Sequence, residues 1–594
     1  MVAVDEESQP FMGQNEKKIK RNRLFIFTAS VIMLMFISAT ASLPFKRVAI
    51  DKYSENHTEP HLVVGHQGAV AVELKECSDA GLDILKDGGG AVDAAIASAL
   101  CIGVVNSFAT VGIGGGGFML IRSPNGTFEF IDFRESAPAA SHKDMFVHDP
   151  MAAQRGGLAV GVPGEIRGFQ LAHERYGKLP WKDLFASAIK VAEEGFEVTD
   201  LLYSKLLKSK TWIEKEPGFA EVYAPTGVIA QPGDIIKRTK LAQTLKIIAE
   251  EGADVFYEGI IAQTIVNATQ AAGGILTMED MRNYKPLIRP TISTSYHGKK
   301  VVTCSAPTSG PALLSVLNII EAYNFQKDGP TALNIHRLIE ALKFGYAFRT
   351  ELGDPDFIHN QKRIEEIISK DWADYVRKNI SDDRTFEPLY YHPKFDTKDP
   401  HGTMHLSVID KEDGAVSLTS TVNLMFGAKF MDPVTGIILN DEMDDFSIPG
   451  IPNNFGLYPS VYNYAAPGKR PLSTITPTII EGENNKLEMA VGGSGGSQIM
   501  TATLNVILNT YDFGDNVFDA VSAPRIHHQL FPNVVGFETG YDMNILNQLE
   551  EIGHTLQNLA ETGTVSASQA IRKFSNGTLH AASDPRKKGV AAAY

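Results

Sequence analysis

Between Asp399 and Asp445 the chain concentrates hydroxyl, amide and carboxylate side chains, among them Thr403, Thr419, Ser420, Thr421, Asn423, Glu442, Asp444 and Asp445. A threonine hydroxyl is a weak nucleophile until a base sits beside it, and one compact base is a free α-amino group on the same residue. Cleavage of the Gly402-Thr403 bond would create that amine. Gly402 has no Cβ, so its carbonyl stays open to a neighbouring hydroxyl and its backbone tolerates a strained conformation. The stretch therefore predicts autocleavage between Gly402 and Thr403, with Thr403 as the new N-terminal nucleophile.

Elements must hold such a residue in place. His405 to Asp410 and Ala415 to Asn423 alternate in polarity around the turn Lys411-Glu-Asp-Gly414, which reads as a β-hairpin. Folded about that turn, Thr403 lies opposite about Val422, beside Thr421 and Asn423. Taken singly, Thr419 to Thr421 are also ordinary strand residues, Asp444-Asp445 a solvated turn and Gly492 to Gly496 a plain glycine loop. A second hairpin, Phe118 to Arg122 and Phe128 to Phe133 about Pro124-Asn125-Gly126, ends at Arg134-Glu135. That pair is either a solvated strand end or an arginine delivered into a cleft, where its planar fork suits a carboxylate. Gly112 to Gly117 lacks the Lys-Ser/Thr of a phosphate loop and is read as a site of close backbone approach.

Ala91 to Leu100 reads as a buried helix of small residues, and Ile166–Tyr176, Trp181–Glu193, Leu241–Glu250, Ile260–Ala271 and Ala332–Arg349 carry helical periodicity. Together these predict a layered α/β body. No chemical constellation is expected between Thr199 and His392, and 382–399 reads as an extended surface loop leading to Gly402.

The chain has 594 residues and a net charge of −15, so nucleic acid is not an expected partner. Its length exceeds one ordinary core. No CxxC pair or His/Cys cluster has metal-ligand spacing, so neither a metal nor an organic cofactor is expected. Three cysteines permit one bridge and a leftover thiol, or three buried thiols. From Leu24 to Phe45 no charge appears, a run long enough for a membrane-spanning helix, and Lys17, Lys18, Lys20, Arg21 and Arg23 precede it. This predicts a cytosolic tail over 1–23, a transmembrane signal-anchor over 24–45 and a stalk over 46–65, with everything beyond extracellular on a single-pass type II protein. The alternative is secretion after signal-peptide cleavage near Ala39-Thr40-Ala41. Both export the Asn-x-Ser/Thr glycosylation sites at Asn56, Asn125, Asn267, Asn379 and Asn576.

The motifs Thr403-Met-His-Leu-Ser-Val408, Thr419-Ser-Thr-Val-Asn423, Asn440-Asp-Glu-Met-Asp-Asp-Phe-Ser447, Arg470-Pro-Leu-Ser473 and Gly492-Gly-Ser-Gly-Gly-Ser497 resemble those of γ-glutamyltransferases. These belong to the N-terminal-nucleophile hydrolase superfamily. The resemblance runs from about Gly65 to Tyr594. It implies a four-layer αββα sandwich in which one intertwined domain is cut into a large subunit, 66–402, and a small subunit, 403–594. It also implies cleavage of the γ-glutamyl bond of glutathione and its conjugates through a γ-glutamyl-Thr403 ester, resolved by water or by acceptor amino acids and dipeptides.

By the same resemblance Thr421 positions the nucleophile, and Gly495 and Gly496 supply the oxyanion hole. Arg134 and Ser473 bind the substrate α-carboxylate, while Asn423, Glu442 and Asp445 bind its α-ammonium. Thr474 stands where many relatives have a second serine and narrows the pocket by a methyl group. Asp441, often Asn in relatives, adds negative charge beside Glu442. Cys77 and Cys101 fit a disulfide spacing of animal relatives. The competing expectation is an unprocessed, inactive relative acting as a cell-surface binding or scaffold protein.

Overall fold

The computed structural model describes residues 59–110, 113–396, 403–563 and 565–594. The expected span 24–45, the tail before it, Asn56 and Gly402 lie outside the described residues. Among the described residues no helix is long and apolar enough to cross a membrane.

Two seven-stranded antiparallel sheets form the centre. The first runs, edge to edge, Ala592–Ala593, Ala69–Ala71, Met404–Ile409, Ala415–Thr421, Gly116–Arg122, Phe128–Asp132 and Leu287–Arg289. The second runs Val63–Gly65, Leu579–Ser583, Ala567–Lys573, Leu487–Ser494, Thr478–Glu481, Lys299–Cys304 and Thr291–Tyr296.

The two-residue period of a strand sends alternate side chains to opposite faces. Phe118 and Leu120 meet Val302, Ile479 and Ile571 between the sheets. Met119 and Ile121 turn outward with Leu406, Val408 and Leu418, and pack under the helix Ala91–Val105. On the far side Val301, Met489 and Val491 pack under Gly310–Ile320, Ala332–Arg349 and Ile499–Tyr511. Three apolar interfaces thus separate four layers: helix, sheet, sheet, helix. Met404–Ile409 and Ala415–Thr421 are buried along their whole length because both of their faces are covered.

The helices Ile260–Ala271 and Ala332–Arg349 have the bounds that their periodicity predicts. The expected helix Trp181–Glu193 divides into a 3-10 turn, Trp181–Phe185, and an α-helix, Ala186–Glu194. The nucleophile hairpin is shifted by one residue. Met404 pairs with Ser420, which puts Thr403 opposite Thr421 rather than Val422. The cause is Asp410, which leaves the strand to accept hydrogen bonds from the N–H groups of Glu412 (2.9 Å), Gly414 (2.8 Å) and Ala91 (3.0 Å). The loop is therefore one residue longer than the turn motif suggests.

The glycine run packs as expected: a Cβ on Gly115 would lie 2.1 Å from the Thr421 carbonyl oxygen, and one on Gly117 2.2 Å from that of Thr419. Cys77, on the helix Lys75–Lys86, is disulfide-bonded to Cys101, with 5.4 Å between their Cα atoms. Cys304 is free and buried, and burial pushes its thiol pKa up.

Candidate active site

Thr403 stands at the head of the Met404–Ile409 strand with its hydroxyl donating to Thr421 Oγ1 at 3.2 Å. Thr421 Oγ1 in turn accepts from the N–H of Asn423 at 2.9 Å. Thr403 has φ +108°, a left-handed conformation that costs a β-branched residue energy. Lys587 Nζ donates to the Thr403 carbonyl at 3.3 Å and is itself held by Glu73 and by Ser494 Oγ at 2.9 Å. Strand period places His405 and Ser407 on the same face as Thr403. His405 is buried against Thr419 and Ser407, and burial drives its pKa down to about 3, so it stays neutral. A Cβ on Gly492 would lie 2.4 Å from that imidazole, which accounts for a glycine there.

Beyond Ser494 the chain turns through Gly495 (φ +123°) and Gly496 (φ +63°) into the 3-10 turn Gly496–Gln498 and the helix Ile499–Tyr511. A Cβ on Gly495 would meet Ser566 Cα at 2.6 Å, and its φ independently favours glycine. Gly495 and Thr403 share the wall of one cavity of about 640 Å³. Thr474 is committed to this turn: its hydroxyl donates to the Gly496 carbonyl at 2.7 Å. Ser473 lies one residue earlier, anchored through its N–H to the Pro307 carbonyl (2.9 Å). Its Oγ accepts from the Ile475 N–H at 3.2 Å.

Arg134, expected at a strand end, is 1% exposed, fully inside the protein. Its guanidinium pairs with Glu442 at 2.6 Å and with Asp445. Burial opposes its charge, but these carboxylates outweigh that and raise its pKa. The expected carboxylate binder and two expected ammonium binders therefore form one ion-pair cluster. Burial raises Glu442 well above the ordinary carboxyl range and adjacent Glu135 to about 7, so the cluster also carries protons near neutrality.

Asn423 (φ +72°) donates through Nδ2 to the Asp441 carbonyl at 3.1 Å. Its Oδ1 is buried and meets no donor among the described residues. Asp441, expected to add negative charge beside Glu442, is fully buried. Its Oδ1 accepts from the Leu424 N–H at 2.9 Å, and burial raises its pKa well above the ordinary carboxyl range, which opposes the negative charge expected there.

Two groups escaped sequence reasoning. Glu165 accepts from Ser420 Oγ at 2.7 Å, and burial raises its pKa to about 8. Only a helix N-terminal position marked it. Lys205 and Lys208 line the Thr403 cavity from 200–213, a region expected to hold no chemistry. The i, i+3 spacing on one helix face was the available signal. Elsewhere, His336 and Glu340 on the helix Ala332–Arg349 gather with His554 in a buried group. Its polar atoms are taken up by protein partners: His336 meets His554 at 2.8 Å and the Ser381 carbonyl at 2.6 Å, and Glu340 accepts from Thr385 and Tyr391. Lys343 Nζ lies 3.5 Å from Glu340. The group reads as a structural network.

A threonine at the head of a central strand, between two face-packed sheets and beside a glycine turn, defines the N-terminal-nucleophile hydrolase class. The model of the gamma-glutamyltranspeptidase family matches residues 77–594, and the chain belongs to that family. It is 45% identical over 550 residues to glutathione hydrolase proenzyme 1 of Schizosaccharomyces pombe, covering 91% of this chain and 87% of that one. It is 44% identical over 543 residues to the glutathione hydrolase proenzyme of Arthroderma benhamiae, covering 88% and 92%. Among solved structures, cephalosporin acylase from Bacillus halodurans superposes with a TM-score of 0.79 at 27% identity, covering 93% and 99%.

Proposed function

We propose that the chain cuts its own Gly402-Thr403 bond and that the freed Thr403 cleaves the γ-glutamyl bond of glutathione and its conjugates. The γ-glutamyl group passes to water or to an amino acid or dipeptide acceptor. The observation that carries this reading is the Thr403 hydroxyl, 3.2 Å from Thr421 Oγ1 at the mouth of the cavity. The positive φ of Thr403 adds to it, because strain next to the scissile bond is relieved by cleavage.

In the cut enzyme the Thr403 α-amine takes the hydroxyl proton as Oγ1 attacks the γ-carbonyl carbon. The oxyanion that forms is met by the backbone N–H groups of Gly495 and Gly496. The amine returns its proton to the departing nitrogen as the C–N bond breaks, leaving a γ-glutamyl ester on Thr403. Water or an acceptor amine, deprotonated by the same group, then attacks the ester and restores the hydroxyl.

The substrate's glutamyl end is a zwitterion. Its α-carboxylate takes Arg134 and Ser473, and its α-ammonium takes Asn423 Oδ1, Glu442 and Asp445. Because Arg134 already pairs with those acids, the zwitterion inserts between a cation and its partner carboxylates and replaces one set of ion pairs by two. No step requires a metal or organic cofactor.

The proposed subunits are 66–402 and 403–594. A site outside the cell, on a type II anchor over 24–45, is proposed from the uncharged run and its basic flank. The Cys77–Cys101 disulfide supports an oxidising compartment, and the exposed Asn125, Asn267 and Asn576 are open to glycosylation. Secretion after signal-peptide cleavage gives the same chemistry. The complete set of site residues argues against an inert scaffold.

Turnover of γ-glutamyl-p-nitroanilide by the wild type and Thr403→Ala tests the mechanism, with activity expected to vanish in the variant. A denaturing gel should show two chains, the smaller beginning Thr-Met-His-Leu. Full activity from a single uncut chain would overturn the proposal.

A further inference from the structure

The Thr403 cavity has a second character away from Arg134. Its wall includes Lys205, Lys208, Lys429, Arg586 and Lys587 and no carboxylate. The whole chain holds 70 acids against 55 lysines and arginines, so this sign is opposite to that of the molecule. Two of the five cations are committed. Arg586 pairs with Glu538 and with Asp584 at 3.1 Å, and Lys587 with Glu73. Among the described residues Lys205, Lys208 and Lys429 form no ion pair. Burial lowers the Lys205 pKa, and the charges of Lys208 and Lys587 lower it further. Lys205 and Lys208 are electrostatic neighbours on one helix, and Lys429, whose charge also reaches Asp441, shares their cavity wall; with no carboxylate at ion-pair distance among the described residues, this wall beside a nucleophile is poised for an anion that the ligand brings.

We propose that Lys205, Lys208 and Lys429 form the subsite for a carboxylate on the departing or accepting peptide, so that leaving groups bearing an additional anionic group are preferred to neutral ones. The inference rests on the γ-glutamyl-transfer reading above and adds which leaving groups are favoured. The glutamyl end of the substrate is held in the Arg134 cluster, which leaves the cavity for the other side of the scissile amide. Flexible ammonium groups, unlike the fixed fork of arginine, reach carboxylates at varied distances, which suits peptides and conjugates of different length. Such a partly exposed subsite gives a graded, salt-sensitive preference.

The test uses the mature enzyme and two donors that differ by one carboxylate, γ-glutamyl-p-nitroanilide and γ-glutamyl-3-carboxy-4-nitroanilide. The carboxylated donor should have the higher kcat/KM, by about tenfold at low ionic strength, and the ratio should shrink in about 0.5 M NaCl. Lys205→Gln, Lys208→Gln and Lys429→Gln should each reduce that ratio by about two- to fivefold, mainly through KM. Lys208 is exposed, so its variant reads out the subsite even where the others fold poorly. Equal kcat/KM for the two donors in the wild type, or an unchanged ratio in the Lys208 variant, overturns the subsite while leaving γ-glutamyl transfer intact. Failure of the wild type to turn over either donor overturns both.

Discussion

The two ends of the active site handle charge in opposite ways. At the glutamyl end Arg134, Glu442 and Asp445 are buried, of mixed sign and already paired with one another. At the leaving-group end Lys205, Lys208 and Lys429 share one sign, meet solvent and form no ion pair among the described residues. Burial makes an electrostatic contact close to all-or-none, since a charge left unpaired there costs several kcal/mol, whereas an exposed contact is worth a fraction of that. On the proposed reading, one end therefore demands a particular zwitterion, and the other ranks whatever is attached to it.

The comparison is broken most directly at Arg134. Arg134→Met leaves Glu442 and Asp445 facing each other without a cation, a loss of about 3–5 kcal/mol by the measure of buried pairs, or about two to four orders of magnitude in kcat/KM. Arg134→Lys should rescue little, because one ammonium cannot face both acids as the fork does. Steady-state kinetics on γ-glutamyl-p-nitroanilide measure this. A loss no larger than that of a cleft lysine would erase the distinction between the two ends.

A smaller effect is expected between the ends, at Thr421. Thr421→Val keeps the shape and removes the side-chain hydroxyl hydrogen-bonded to the Thr403 hydroxyl, at a cost of roughly 1–2 kcal/mol, about five- to thirtyfold in kcat. Thr421→Ser should restore most of it. Self-cleavage, followed as the appearance of the small chain on a gel, should slow in parallel, since the same hydroxyl pair serves both reactions. Undiminished turnover and processing in the valine variant would remove Thr421 from the mechanism.

How far these parts could be read from sequence follows their physics. The hairpin and the helices were legible because period and turn chemistry are local. The one-residue register error came from Asp410, whose carboxylate reaches the Ala91 N–H, a contact 319 residues away in the chain. Arg134 could be proposed as a carboxylate binder, but its pairing with Glu442 and Asp445 is a product of folding. The burial that raises the Asp441 pKa is likewise a product of folding, which a residue type does not state. The lysine cleft was missed for the same reason in reverse: each lysine looks like solvated surface until Pro585–Lys587 and the turn at Lys429 close around one helix face.

The gentlest test of the buried end is a pH titration of stability. Glu135 and Glu165 are raised by burial to about 7 and about 8, from 4.5. A carboxyl raised on folding stabilises the native state while it is protonated there. That contribution is fully present below pH 4.5 and is lost as pH rises through the folded values. The melting temperature of the wild type should therefore fall between about pH 5 and pH 8 from these two groups. Glu165→Gln keeps an acceptor for Ser420 and sets an amide toward Glu135 in place of a second acid, so its melting temperature should fall less steeply over the same window. Parallel melting curves for the wild type and the variant would show that Glu165 ionises freely, and the protonated interior behind the glutamyl end would then have to be abandoned.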